Sequence, residues 1–270
     1  MQVSVGLFAH NEEKTIKQCI ESFKHQGLND ITLVSSSTDN TNTIAKTTGI
    51  RVIEEKKRNG KARAINRFLS IAKGNILVIC SADVIPADNA IKELCKPFAD
   101  KKIGIVACRP IPIQKRYLGK ITELLWKIHH EISLKKPKFG EMIAFRNVIK
   151  KIPNTSVDEE TIAMLIMKKG YEGFYNPRSI VYNTGALSIK DYVTQRRRIF
   201  SGHLNLKKQG YTPATAETIG LLRTIIQQTT AKNILYMISL WFLELAVMFF
   251  GMYDYITGKK HYKWKLIKRS

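Results

Sequence analysis

One acidic and one basic residue, Asp83 and Lys61, lie where their side chains could bind a phosphorylated ligand. Asp83 follows an apolar stretch, and a carboxylate there can hold a divalent cation on a diphosphate. Lys61 follows Gly60 at the start of a predicted helix, a place that can receive phosphate. Each has a plainer alternative, a turn or helix-cap aspartate and a solvated lysine on an ordinary helix. The complete phosphate-binding loop motif G-x-x-x-x-G-K-[ST] is absent from the sequence.

Two further segments carry polar groups on predicted helices. Asp158 and Glu159 open a helix, where carboxylates suit the dipole, and either could also act as a general base for a hydroxyl nucleophile. Gln195 and Arg198 are three residues apart and share one helix face. Arginine suits bidentate contact with phosphate, but a solvated basic face is the alternative.

These segments lie within a regular alternation of strands and helices. Unbroken apolar runs predict strands, and amphipathic stretches between them predict helices. The strands are predicted at residues 2–8, 31–34, 51–53, 76–80 and 103–107. This pattern predicts an α/β nucleotide-binding fold, a mostly parallel sheet flanked by helices. Ligands of such sheets bind beyond the carboxyl ends of the strands, where the segments 9–12, 35–39, 54–61 and 81–83 lie.

The second half of the chain changes character. It predicts helices at 119–134, 158–169 and 189–208, a short strand or loop at 140–145 and a strand at 180–182. We therefore expect one α/β domain over residues 1–210. Residues 211–270 are expected to form a helical, membrane-associated segment with a basic tail.

The amino-acid composition excludes several classes of protein and indicates the charge of the partners. Four cysteines in 270 residues exclude a disulfide scaffold, and the absence of a C-x-x-C pair among them excludes a zinc ribbon and a thioredoxin-type site. A mean hydropathy of −0.16 excludes a polytopic membrane protein. The 44 Lys and Arg against 22 Asp and Glu give a net charge of +22. Such a charge favours nucleic acid, anionic lipid or phosphorylated small molecules as partners, although a biased, solvated surface is the alternative.

An apolar segment over residues 233–253 precedes the basic tail, which contains Lys259, Lys260, Lys263, Lys265, Lys268 and Arg269. The segment contains one charge, Glu244, and is long enough to span a bilayer. Three interpretations stay open: an in-plane or re-entrant membrane helix, a single span, and a buried or self-associating helix. No signal peptide is recognisable, so we expect the catalytic part in the cytoplasm, at the face of the cell membrane.

Six motifs in order resemble those of the family 2 glycosyltransferases, which have the GT-A fold. They are Val3 to Glu13, Ser37 to Thr41, Gly60 to Asn66, Lys73 to Asp83, Asp158-Glu159 before Gly170-Tyr171, and Gln195 to Arg198. The resemblance runs from residue 3 to about residue 205. It implies an inverting transfer of a sugar from a UDP- or GDP-sugar to a lipid-linked or membrane-proximal acceptor. The acceptor could be a glycan of the cell envelope, and no nucleic-acid partner is expected.

The resemblance also implies roles for individual residues. Glu159 would be the catalytic base, with Asp158 the close alternative, and Asp83 would hold Mg²⁺ or Mn²⁺. The substrate-binding residues implied are Ala9, Asn11, Glu12 and Asp39 at the nucleotide, Lys61 facing the donor, Gly140 and Glu141 on the acceptor side, and Gln195 and Arg198 over the diphosphate.

The sequence departs from the family pattern in three elements. Val34-Ser35 stands in place of two usual aspartates, Ser81 replaces the first Asp of the D-x-D element, and Ile199 replaces a Trp. The Trp commonly accompanies polymerising members, so we expect transfer of a single sugar. The alternative is a catalytically degenerate sugar- or lipid-binding scaffold. Sugar nucleotidyl transfer would need a Gly-rich, Arg-containing loop after the first strand, which the sequence lacks.

Overall fold

Apolar runs of four to seven residues form the central strands of the first half of the chain. The computed structural model describes residues 1–114, 116–216 and 224–262. Its first strands are β1 (Val3–Ala9), β2 (Ile31–Ser35), β3 (Arg51–Glu54) and β4 (Ile76–Ser81). They pair in parallel in the order β3-β2-β1-β4, which confirms this part of the predicted sheet. Their carboxyl ends therefore lie along one edge.

The other half of the sheet is mixed in direction. It contains β5 (Ile85–Pro86), β6 (Ile103–Pro112), β7 (Met142–Arg146) and β8 (Glu172–Asn183). Strand β7 runs antiparallel to both β4 and β6, and β5 runs antiparallel to β8. The sheet has the order β3-β2-β1-β4-β7-β6-β8-β5, and its first half, β3-β2-β1-β4, is parallel. The apolar pattern predicts a strand but does not encode its direction once the regular strand–helix alternation ends.

The helices that belong with this sheet are α1 (Ile16–Lys24), α2 (Thr41–Thr47), α3 (Lys61–Leu69), α4 (Ala90–Cys95) and, further along the chain, residues Asp158–Met167. The core between strands and helices includes Val5, Leu33, Val78, Ile20 and Phe23, all almost fully buried. Buried apolar area is the main source of stability for such a layer. It fixes the strand ends on which the polar segments stand.

The chain divides into two compact units. The first contains Met1–Pro110, Phe139–Asn154 and Asp158–Asn183. The second contains Ile111–Lys138, Thr155–Val157 and the described residues from Thr184 onward. The domain boundary at residue 210 stays a prediction.

Helices make up most of the second unit. The label α6 is kept for the helix Asp158–Met167 of the first unit. The second unit contains α5 (Tyr117–Lys135), α7 (Ile189–Lys208) and α8 (Ile234–Ile256). Within the second unit, the buried side chains Ile121, Leu125 and Ile128 of α5 belong to one apolar cluster with Met237 and Leu240 of α8. The helices predicted at 119–134 and 189–208 are confirmed.

One helix within the described residues, α8, is long and apolar enough to cross a membrane. Its most apolar window has a mean hydropathy of 2.0, and 22% of that window is buried. By itself, one such helix is weak evidence for a membrane. Lys259 and Lys260, which follow it, are exposed. The other predicted members of the basic tail, Lys263, Lys265, Lys268 and Arg269, lie outside the described residues.

Candidate active site

A close contact between α3 and β1 positions the start of α3. A Cβ atom on Gly6 of β1 would lie 2.7 Å from the ring of Phe68, so only glycine allows this approach. Gly60 precedes α3 with a φ of 94°, which glycine adopts without strain. Further along α3, the Asn66 amide donates to the Ile152 carbonyl and accepts from the Ile152 amide. The glycines and Asn66 therefore hold α3 in place, and Lys61 is its first residue.

Lys61 is the centre of a polar cluster at the carboxyl end of β4. Its Nζ donates to Oε1 of Glu159 at 2.6 Å and to Oγ of Ser81, the last residue of β4, at 3.0 Å. Both side chains of the ion pair are largely buried, at 9% and 13% exposure. Burial would lower the pKa of Lys61, but the carboxylates of Glu159, Asp158 and Glu141 raise it above its usual value. The lysine is therefore a fixed cation.

Three acidic side chains are close enough to act on that lysine. Glu159 and Asp158 come from the first turn of α6, and Glu141 directly precedes β7 in a left-handed conformation with a φ of 60°. Asp158 is fully buried. The next residue, Glu160, accepts a hydrogen bond from the Phe139 amide at 3.1 Å and so ties α6 to the segment before β7. The structure thus brings together Lys61, expected on the donor side, Glu159 and Asp158, expected as the base and its alternative, and Glu141, expected on the acceptor side.

Asp83 lies in the turn that follows β4. The Ala82 amide donates to the Phe8 carbonyl at 3.0 Å, and the Val84 amide closes the turn onto the Ser81 carbonyl. Among residues 1–114, 116–216 and 224–262, no three His, Cys, Asp or Glu side chains gather as a ligand set for a metal. A half-buried single carboxylate nevertheless fits Mg²⁺ or Mn²⁺, because such ions take their remaining ligands from substrate phosphates and water.

The ends of β1 and β2 are joined by side-chain hydrogen bonds. Asn11 has a φ of 61°. Its side-chain Oδ1 accepts from the backbone amide of Thr38 at 2.8 Å, and its backbone amide donates to Oγ of Ser37. Asp39 accepts from the amides of Thr41 and Glu13. Burial would raise the pKa of Asp39, but these donors and the Thr41 hydroxyl lower it. Asn11 and Asp39 therefore hold together the segments that follow β1 and β2 at the carboxyl edge of the sheet.

Asparagine often caps helices, but α1 does not start next to Asn11 and begins at Ile16. The left-handed backbone of Asn11 does not continue into a helix, and its side chain accepts a hydrogen bond from the Thr38 amide of a distant loop. Ala9 ends β1, and Glu12 follows Asn11 with its amide bonded to Oγ1 of Thr41 at 2.8 Å. Both lie on the same strand-end edge.

The sequence analysis assigned no role to His10 and Arg58, two further polar residues on this edge. The Nδ1 atom of His10 lies 2.9 Å from the Ser36 carbonyl, and burial, followed by the nearby Arg58, lowers the pKa of His10. Ser35, already noted as a departure from the family pattern, donates to Ser37 at 2.8 Å, so hydroxyl groups stand where that pattern has a carboxylate. The signal that could have identified the first two residues is their position, since His10 follows β1 directly and Arg58 lies in the segment after β3.

The two remaining predicted residues on α7 belong to the second unit. Arg198 is buried, and its Nη1 donates to the Ser156 carbonyl at 2.8 Å. Gln195 is half-buried one turn before it. Gly140 belongs to the first unit, where it precedes Glu141 and β7.

The strand order and the polar carboxyl edge define the class of protein. A sheet with a parallel half, antiparallel strands beyond it and acidic and basic residues at the strand ends is a GT-A-like α/β fold. The family model for glycosyl transferase family 2 matches residues 4–168, more than half of the chain. The protein belongs to glycosyl transferase family 2.

Solved structures agree on the fold. The mannosyltransferase PcManGT from Pyrobaculum calidifontis, in complex with GDP-Man and Mn²⁺, superposes with a TM-score of 0.69 at 20% identity, over 96% of this chain and 88% of that one. Glucosyl-3-phosphoglycerate synthase from Mycobacterium tuberculosis, with Mn²⁺ and UDP-Glc, gives 0.57 at 21% identity, over 76% and 78% of the two chains.

A curated relative is similar over a shorter stretch. The glycosyltransferase GlyG of Streptococcus pneumoniae is 28% identical over 112 residues, which are 38% of this chain and 37% of that protein. The match therefore spans little more than a third of the relative's length.

Proposed function

We propose that this protein is an inverting glycosyltransferase that uses a UDP- or GDP-sugar and a lipid-linked or membrane-proximal hydroxyl acceptor. The observation that carries the proposal is the buried pair of Glu159 and Lys61 at the end of β4, 2.6 Å apart. A carboxylate held ionised at the carboxyl edge of the sheet is a group that can take a proton from a hydroxyl.

Glu159 is the proposed base. Its carboxylate would deprotonate the acceptor hydroxyl, whose oxygen would attack the anomeric carbon as the bond to the nucleoside diphosphate breaks. Lys61 would keep Glu159 ionised between turnovers, because a buried carboxylate is stabilised by an adjacent cation. Asp158, fully buried at the first position of α6, is the close alternative.

The proposed donor site follows the strand ends. Ala9, Asn11, Glu12 and Asp39 would border the nucleoside, and Lys61 would face the diphosphate. Support comes from the hydrogen bonds that join Asn11 and Asp39 to the segments after β2 and β1. Segments held by such bonds are preorganised and need little rearrangement when a ligand binds.

On the acceptor side we propose Gly140 and Glu141. Gln195 and Arg198 of α7 would close over the diphosphate, where a guanidinium can contact two phosphate oxygens.

Asp83 is the proposed ligand of Mg²⁺ or Mn²⁺. When bound, such an ion supplies positive charge that stabilises the leaving diphosphate. Ser81, whose hydroxyl is engaged by Lys61, replaces the usual first carboxylate of the D-x-D element. Lys61 therefore contributes, at this end of β4, a positive charge next to the position where a second carboxylate would stand.

The ligands bound in the similar solved structures support the proposed classes of sugar donor and metal. PcManGT is solved with GDP-Man and Mn²⁺, and the mycobacterial synthase with UDP-Glc and with Mg²⁺ or Mn²⁺. The apolar helix α8 and the exposed Lys259 and Lys260 support an acceptor near a membrane. The proposed location of the catalytic part is the cytoplasmic face of that membrane.

A second candidate is a catalytically degenerate scaffold that binds sugars or lipids and has lost the nucleotide-sugar donor site. The replacement of two carboxylates by Ser35 and Ser81 favours it. In that case the protein would bind sugars or lipids, and Asp83→Ala and Glu159→Gln would leave this binding unchanged.

Thermal unfolding with UDP-glucose or GDP-mannose, with and without Mn²⁺, tests the proposal. A ligand that binds only the native state raises the midpoint. We expect a Mn²⁺-dependent rise that Asp83→Ala abolishes and that the exposed control Asp88→Ala keeps. Ser81→Asp should increase the Mn²⁺ dependence. No rise with either nucleotide sugar in a folded sample would contradict donor binding and favour the scaffold.

A further inference from the structure

Helix α8 has two opposite faces with the same spacing. Its buried or half-buried inner positions are Met237, Leu240, Glu244, Val247, Gly251 and Asp254, which alternate steps of three and four residues. A second series with that spacing lies about half a turn away: Leu235, Ile238, Phe242, Leu245, Phe249, Met252 and Ile256. Every member of the second series is apolar and between 41% and 74% exposed. Among the described residues, the helix thus has one packed seam and one exposed apolar stripe.

The packed seam contains both acidic residues of the helix. Glu244 accepts from Nη2 of Arg196 at 2.7 Å and from the hydroxyl of Tyr192 at 2.6 Å, both on α7. Asp254, with no exposed side-chain surface, accepts from Nε of Arg197 at 2.6 Å and pairs with His261 at 2.8 Å. Gly251 allows the close approach, since a Cβ there would lie 2.7 Å from the ring of Phe200. Two Arg–carboxylate pairs therefore fasten α8 to α7.

This fastening conflicts with a crossing of the bilayer. If α8 spanned it, either the polar helix α7 would enter the hydrocarbon with it or both ion pairs would break. In the second case Glu244 and Asp254 would lose their arginine partners, and ionisable groups at membrane depth are costly. An orientation parallel to the membrane keeps both pairs and buries only the apolar stripe.

Lysines beyond the two ends of α8 and aromatic side chains along it are suited to a lipid surface. Lys232 before the helix, and Lys259 and Lys260 after it, are exposed and complement anionic headgroups. Trp241 and Tyr253 are also exposed, at 43% and 59%, and such side chains favour the interface between lipid and water.

We propose that α8 lies in the plane of an anionic membrane, with its apolar stripe in the lipid and its carboxylate seam clamped on α7. This deepens the membrane part of the proposed function. Because α7 also carries Gln195 and Arg198, the clamp sets the orientation of these two residues relative to the bilayer.

Binding of the full-length protein to vesicles of phosphatidylcholine and phosphatidylglycerol tests the surface. Phe242→Ser with Phe249→Ser should weaken sedimentation with these vesicles at least tenfold, because two exposed aromatic side chains are removed from the lipid-facing stripe. Phe174→Ser, which removes an exposed phenylalanine from β8, is the matched control and should bind like the parent. Equal binding of the double variant, or a parent that forms dimers and ignores vesicles, would overturn the proposal.

Labelling with a membrane-impermeant maleimide tests the orientation. The four native cysteines are buried and free, which keeps background labelling low. On protein bound to the outside of vesicles, Lys232→Cys and Thr257→Cys should both be labelled. Protection of the Thr257→Cys position alone would indicate a crossing and overturn the in-plane orientation. The nucleotide-sugar shift of the Phe242/Phe249 variant, measured in detergent, separates failure of this proposal from failure of donor binding.

Discussion

Lys61 with Glu159 in the first unit and Arg197 with Asp254 in the second are both buried cation–carboxylate pairs with short contacts. Their surroundings differ. The first pair lies at the open edge of a sheet, beside the end of β4 and a further acidic group, Asp158. The second lies in the seam between two long helices, where the acid has no exposed surface. Under the proposed function, the same kind of ion pair therefore serves reactivity where a strand ends and helix packing where two helices meet.

The largest expected effect is on catalysis in the first unit. Glu159→Gln should lower the rate of sugar transfer by about 10²–10⁴-fold, because the amide cannot accept the acceptor's proton. Donor binding should be retained. Turnover is measured as nucleotide release, with the exposed Glu172→Gln as the control. Transfer at the parental rate would assign the base to another group, and Asp158→Asn would be the next variant.

The second effect is on the stability of the first unit. Lys61→Met should lower the free energy of unfolding by about 3 kcal/mol, since a buried carboxylate loses its cationic partner. Denaturant unfolding measures the loss. The double variant Lys61→Met with Glu159→Gln should recover part of it, and a double variant as unstable as the sum of both changes would argue against coupling.

The equivalent change in the second unit should cost less. Arg197→Met should lower the free energy of unfolding by about 2 kcal/mol, because Asp254 keeps His261 and Lys259 as neighbours. The transfer reaction should slow far less than in Glu159→Gln. A loss of activity as large as that of Glu159→Gln would mean that the two pairs do not divide reactivity and assembly between them.

The smallest effect concerns pH. Burial, with Lys138 and Arg196 nearby, lowers the pKa of His203 to about 3 from the ordinary value of 6.5. Between these values the unfolded chain binds a proton that the folded chain excludes, so stability falls as pH falls from 6.5 towards 3. His203→Asn should flatten this slope, and the exposed His25→Asn should not. Identical slopes in urea titrations of parent and His203→Asn would refute the assignment.

Much of the architecture follows from local pattern. The apolar runs predicted five strands and the long helices, because burial on both faces of a sheet requires continuous apolar sequence, and the first four of these strands pair in parallel as expected. The antiparallel direction of β7 depends on where the chain returns to the sheet, which local sequence does not determine. Asn11 shows a similar limit, since a residue type that often caps helices adopts a left-handed turn through bonds to the distant Ser37 and Thr38.

The candidate site divides in the same way. Motif order identified Lys61, Asp83 and Glu159, and their roles stay predictions. The salt bridge between Lys61 and Glu159 joins residues 98 positions apart, so only the fold could reveal it. The pairing of Glu244 with Arg196 was likewise hidden, because a lone acid in an apolar segment has no local signal for its partner.

Because the inner and outer series of α8 both alternate steps of three and four residues, the face on which a residue lies depends on the number of residues before it in the helix. One residue inserted near Leu245 would rotate everything after it by about 100°. Asp254 would turn away from Arg197, and the inner and outer series would no longer be continuous along the helix. An insertion of seven residues would nearly restore both faces. The helix should therefore tolerate changes of its length in steps of seven far better than single insertions, a constraint on the history of this segment that substitutions alone would not show.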